Sequence, residues 1–179
     1  MGETQILATV ANAPVPLFVD LDDTLATTDV TVGTMRAHAL QGPMAALRTL
    51  FWLVKGKSVA KAMVARALPV NPANLSWKPE VIAAINTARA EGRPVILASA
   101  SHWRHVNRVA KHLGIFDGVI ASSAKSSAKG RGKLVRILAM TSGGPFDYIG
   151  DARADIPIWA AARNALSVGY CPPNVIKLG

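Results

Sequence analysis

Apolar residues come along this chain in short, nearly continuous runs. Val15–Val19 ends at Asp20, VILAS occupies 95–99, GVIAS 118–122 and FDYIG 146–150, and ALSVGY begins at Ala165. Runs of this length and continuity predict strands buried on both faces. Between them the period lengthens. EVIAAINTARAEG follows Pro79 and stops at Gly92, and KLVRILAM and ADIPIWAAARN fill two further gaps. HWRHVNRVAKHLG sets Trp103, Val106, Val109, Ala110 and Leu113 on one helical face and Arg104, Arg108 and Lys111 on the other. Strands alternating with helices predict an α/β architecture, a parallel sheet covered on both sides.

One stretch stands outside the alternation. MRAHAL, PMAALRTLFWLV after Gly42 and KSVAKAMVARAL after Gly56 read as two or three short helices closed by Pro69. They predict a small helical insert at 28–76, with 1–27 and 77–179 forming the core. Leu50–Val54, ahead of Lys55 and Lys57, reads as an insert helix packing on the core; rest on an anionic membrane is the alternative.

Composition narrows the class. Half of the 179 residues are hydrophobic and 17% charged, which suits one globular domain with a sizeable core. Cys171 is the only cysteine, which excludes an internal disulfide and fits a reducing, cytoplasmic setting. The first 19 residues lack the basic start of a secretory signal, and no apolar run is long enough to span a bilayer.

Charge changes the picture more. The net charge is +9, yet six of the eleven acids sit in two groups, Asp20, Asp22 and Asp23, then Asp147, Asp151 and Asp155. Val30 to Pro79 holds seven Lys or Arg and no acid, and Gly118 to Phe146 five more and no acid. Carboxylates this crowded repel one another unless a cation or a function holds them. Basic surroundings around an acidic focus suit an anionic ligand held by a divalent cation. Specific nucleic-acid binding is not expected from the basic balance alone. In a parallel α/β sheet ligands bind beyond the carboxyl ends of the strands, and Asp20, Ser99 and Asp151 each fall at such an end.

Asp20-Leu21-Asp22-Asp23-Thr24 and Gly150-Asp151-Ala152-Arg153-Ala154-Asp155 are DxDxT and GDxxxD. In this order, each at a strand end, they resemble the first and last motifs of haloacid dehalogenase-like hydrolases. The resemblance implies a Rossmann-like three-layer sheet with a small cap, and a Mg²⁺-dependent phosphatase. It makes Asp20 the nucleophile that becomes an aspartyl-phosphate and Asp22 the general acid and base. It gives Mg²⁺ to Asp20, the Asp22 carbonyl, Asp151 and Asp155, and the phosphoryl oxygens to Ser99. It also requires a lysine, for which AKSSAKGRGK offers Lys125, Lys129 and Lys133; Lys129 best matches the expected loop, with Lys133 second.

PLFVDLDDTL, VILASAS, HLGIFDGVIAS, AKGRGKL and FDYIGDARADIPIWAAARNA together are similar to a narrower group, the domain found ahead of UbiA-type membrane prenyltransferases. That similarity implies a lipid-linked sugar phosphate as substrate, a prenyltransferase as partner or fusion, and a place at the inner face of a membrane. A regulatory domain without catalysis and a phosphomutase are the rival expectations. His102, His105 and His112 are expected on a solvated or basic face, the four tryptophans in packing, Asp23 at the cap of a turn and Asp147 in a structural role.

Overall fold

The computed structural model describes residues 14–178. Six parallel strands form one sheet: β1 Leu17–Val19, β2 Val95–His102, β3 Gly118–Ser122, β4 Asp147–Gly150, β5 Asn164–Ser167 and β6 Ile176–Lys177, in the order β3-β2-β1-β4-β5-β6. The strand alternation builds both cores. Leu17, Val19, Val95, Leu97 and Ile149 face one side, where α4 (Pro79–Ala90) and α5 (Trp103–Leu113) cover them with Val81, Ile85, Val106 and Val109. Phe18, Ile96, Ala98 and Tyr148 face the other, against Ile137 of α6 (Arg131–Met140) and Ile158 and Trp159 of α7 (Ile156–Trp159). The α/β parallel sheet covered on both faces is thus present, and β1 lies at its centre, paired to β2 and β4.

Three α-helices lie between β1 and α4: α1 Val30–Ala39, α2 Pro43–Val54 and α3 Lys57–Ala67. The chain leaves and returns through a paired neck, where Ala26 bridges Trp77 antiparallel and Thr27 N–H donates to the Ser76 carbonyl. Thr49 is the only buried residue of α2; its hydroxyl meets His38 Nδ1 at 2.8 Å. The expectation that Leu50–Val54 packs on the core is therefore wrong. Leu50, Phe51, Leu53 and Val54 are exposed, because α2 touches its neighbours through Ala45, Thr49 and Trp52, on the opposite side of the helix.

Three other readings change. β2 runs on past Ser99 to His102 through a register shift, and His102 then caps α5, its Nδ1 accepting from Arg104 N–H. This turns the helix so that His102 and His105 are buried, while His112 is exposed and Trp103 lies under the Arg104 guanidinium at the surface. α7 is only four residues long, because the chain turns back to the sheet: Arg163 N–H bonds the Phe146 carbonyl and its guanidinium grips Asp147. Asp147, also bonded by Arg93 and Asn164 N–H, holds strand ends together.

Candidate active site

The chain leaves β1 in a wide turn over Leu21–Leu25, closed by i→i+5 bonds from Leu25 N–H to the Asp20 carbonyl and from Ala26 N–H to the Leu21 carbonyl. The turn needs a left-handed residue, and Asp23 takes it at φ 54°, a conformation that Asp tolerates better than most residues. Leu21 and Leu25 are fully buried and anchor the turn from below. Asp20 and Asp22 thereby rise above the carboxyl edge of the sheet.

Asp20 is held at both oxygens. Oδ1 accepts from Leu21 N–H at 2.7 Å, and Oδ2 meets the Lys133 ammonium at 2.8 Å. Lys133 is 2% exposed, the most buried cation of the site. Its Nζ also donates to the Tyr148 hydroxyl at 2.7 Å and lies 3.5 Å from Asp155 Oδ1; the Tyr148 hydroxyl in turn donates to Asp155 at 2.8 Å. The lysine beside Asp20 is therefore Lys133 and not Lys129. α6 begins at Arg131, so Lys133 sits in its first turn, where a helical side chain points back toward the N-terminus and the sheet edge. Lys129 precedes the helix and is an exposed wall of the same cavity.

Burial pushes the Asp20 carboxyl up to about 7; Lys133 pulls against that rise, while Asp155 and Asp22 add to it. Burial also works against the Lys133 ammonium, but Asp20 and Asp155 outweigh it and hold its pKa above the usual lysine range. Burial raises Asp151 as well, with Thr24 opposing through a 3.1 Å bond to Oδ1.

Asp22 is bonded on three sides. Val30 N–H donates to Oδ1 at 2.8 Å, and the Ser99 and Ser101 hydroxyls donate to Oδ2 at 2.9 and 2.6 Å. Ser99 is fully buried and its proton goes to Asp22, so its hydroxyl is not directed at the cavity as the resemblance implied. Thr31 of α1 backs Ser101 at 2.6 Å, so the helical insert helps to position Asp22.

Asp20, Asp151 and Asp155 each offer a carboxylate oxygen within 4.8 Å of the others. Among the described residues Lys133 alone pairs its ammonium with these carboxylates, and three hard oxygen donors so placed fit a divalent cation such as Mg²⁺. The Asp22 side chain lies outside this cluster. Gly150 is forced: a Cβ there would stand 2.7 Å from both Asp155 Oδ2 and the Tyr148 ring. A cavity of about 170 Å³ opens above the cluster, with Lys61, Lys129 and Gly130 on its walls.

The haloacid dehalogenase-like hydrolase family matches residues 17–159, which contain every residue of this cluster. The chain belongs to that family. The uncharacterized protein y4nM of Sinorhizobium fredii (strain NBRC 101917 / NGR234) is 34% identical over 154 residues, 86% of this chain but 30% of that protein. This chain therefore spans less than a third of that relative's length. A haloacid dehalogenase family hydrolase from Salmonella enterica serovar Typhi shares the fold at TM-score 0.65 and 13% identity, over 93% of this chain and 68% of that one. An apo phosphoserine phosphatase does so at TM-score 0.61 and 17% identity, over 92% and 94%.

Of the residues expected from sequence, the structure brings Asp20, Asp151 and Asp155 together and sets Asp22 beside them on Ser99. Sequence reasoning missed Ser101, Thr31 and Tyr148. Ser101 was legible only if the strand ran past Ser99, and Tyr148 only through its place two residues before the forced glycine.

Proposed function

We propose that the chain is a Mg²⁺-dependent phosphomonoester hydrolase acting through an aspartyl-phosphate on Asp20. The observation that carries this reading is the buried contact of Asp20 with Lys133 at 2.8 Å beside the carboxylates of Asp151 and Asp155. A dication held by Asp20, Asp151 and Asp155 would keep Asp20 ionised and offset the charge of an incoming phosphate.

The residues then divide the work. Leu21 N–H and Lys133 fix the orientation of the Asp20 carboxylate, and Lys133 also neutralises phosphoryl charge. Asp20 attacks phosphorus, the bond to the leaving oxygen breaks, and Asp22 gives that oxygen a proton. In the second half Asp22 takes a proton from water as the water displaces Asp20 from phosphorus. Ser99 and Ser101 hold Asp22 through both halves, since a hydroxyl can donate to the carboxylate and turn to accept from the acid.

The narrower sequence similarity supports a substrate that is lipid-linked and a role beside a membrane prenyltransferase. Among the described residues no helix is long and apolar enough to cross a membrane. The test is phosphate release with Mg²⁺ from p-nitrophenyl phosphate and a panel of sugar phosphates, with acid-quenched mass spectrometry of the Asp20 peptide. Turnover that survives Asp20→Asn would sink the assignment.

A further inference from the structure

Beside the aspartate cavity lies a second recess of about 150 Å³, sharing Lys61 and Lys129 with it as walls. Lys57 and Ser58 enter from the first turn of α3, while Lys129 and Ser127 come from the loop before α6. No carboxylate lines this recess. Among the described residues Lys57, Lys61 and Lys129 form no ion pair; Lys61 donates to the Ala100 carbonyl at 2.9 Å and faces Asp29 on the aspartate side. Gly56, ahead of α3, brings no side chain to the free N–H groups of that turn. Three ammonium groups around one small space repel each other unless an anion joins them.

We propose that this recess is a subsite for a second anionic group of the substrate, a phosphate or carboxylate on the leaving-group side of the phosphoester. The inference rests on the phosphatase reading above and narrows its substrate to phosphomonoesters bearing another oxyanion. The shared walls place the two anions in adjoining chambers, one against Asp20 and one against the lysines. Lys129, which does not pair with Asp20, thereby acquires a binding role.

Two arms keep this test separate from that of the reading it rests on. Turnover of p-nitrophenyl phosphate decides the phosphatase reading alone. Calorimetric titration of the Asp20→Asn protein with alkanediol bisphosphates and the matching monophosphates decides the subsite without turnover. The bisphosphate of fitting length is expected to bind at least about tenfold tighter than the monophosphate, and Lys57→Met with Lys61→Met to erase the difference. Equal affinities, or equal losses for both ligands in the double variant, overturn the subsite.

A separate observation concerns α2. Met44, Leu47, Leu50, Phe51 and Val54 are each more than half exposed, and Leu40, just before the helix, is 76% exposed. An apolar surface of this extent on a folded domain marks an interface. Its setting is basic throughout: Arg48, Lys55 and Lys57 lie on or beside the helix, Lys55 Nζ stands 4.5 Å over the Phe51 ring, and Val30 to Pro79 contains no acid. From this charge complementarity we infer that α2 docks on the surface of a bilayer with anionic headgroups, with its apolar side chains at the acyl boundary and its cations among the phosphates.

Co-sedimentation with vesicles of phosphatidylcholine, alone or mixed with phosphatidylglycerol, tests this. Binding is expected only to the mixture, weakening with salt, and falling at least about tenfold in Leu50→Ser with Phe51→Ser. Because both side chains are exposed, a melting curve will show that this variant remains folded. Absence of binding to either vesicle, indifference to the anionic lipid, or a dimer abolished by the same substitutions overturns the docking.

Discussion

The Lys133 ammonium and Asp20 Oδ2 meet at 2.8 Å, and Lys133 is almost wholly shielded from water. Such a pair costs desolvation to form and more to break, since removing one member strands the other. Lys133→Met leaves Asp20 and Asp155 facing each other without their shared cation. Denaturant unfolding should show a loss of about 3–5 kcal/mol, and phosphate release from p-nitrophenyl phosphate should fall by at least about a hundredfold. Lys129→Met, at an exposed side chain, should move stability by no more than about 0.5 kcal/mol.

Asp20 also gives the fold a pH dependence. Its folded pKa, about 7, lies above the ordinary 3.8, chiefly through burial. The ionised form is thus disfavoured in the fold, so its contribution is full below 3.8 and is lost as pH rises through about 7. Without divalent ions the wild type should lose melting temperature as pH rises from 4 to 8, and Asp20→Asn, in which Lys133 keeps its contact with Asp155, should lose less over the same range. Mg²⁺ should raise the wild-type midpoint at pH 8, and Asp151→Asn should remove that response.

Much of this site was legible because DxDxT and GDxxxD fix backbone positions as well as side chains. Asp20 and Asp151 follow directly from strand ends, and Asp155 from the turn after Gly150. The lysine was not legible in the same way. Whether Lys129 or Lys133 reaches Asp20 depends on which residue starts α6, and helix starts shift by a residue or two without changing the apolar pattern. The burial of His102 and His105 was lost for a similar reason, since β2 runs three residues beyond the apolar run VILAS. The outward face of α2 defeated periodicity altogether. Apolar residues normally mark the inside, and here they mark the surface.

Gly150 offers a steric test. A methyl group there would press on Asp155 Oδ2 and the Tyr148 ring, both fixed by Lys133. Gly150→Ala should cost about 1–3 kcal/mol in unfolding experiments. It should also weaken the Mg²⁺-induced rise in melting temperature, because Asp155 has to move.

His105 supplies a second, opposite pH effect. Burial, then His102 and Arg108, depress its pKa to about 4. Its Nδ1 accepts from Val70 N–H at 3.3 Å, while Nε2 is buried without a partner among the described residues. A depressed histidine contributes fully above about 6.5 and loses that contribution as pH falls toward 4, by up to about 3 kcal/mol. His105→Leu removes the titrating ring, so its stability should fall less than that of the wild type over this window in chemical denaturation. At pH 7 the same variant should be weaker by about 1–3 kcal/mol, having stranded the Val70 N–H.

The neck at Ala26 and Trp77 carries an evolutionary consequence. Because the outgoing and returning chains are already paired there, whole helices could be gained or lost beyond it without disturbing the spacing of β1 and β2. Yet Val30 and Thr31, just past the neck, hold Asp22 directly and through Ser101. Most of the insert is free to diversify with the ligand it meets, while its first turn is inherited with the chemistry.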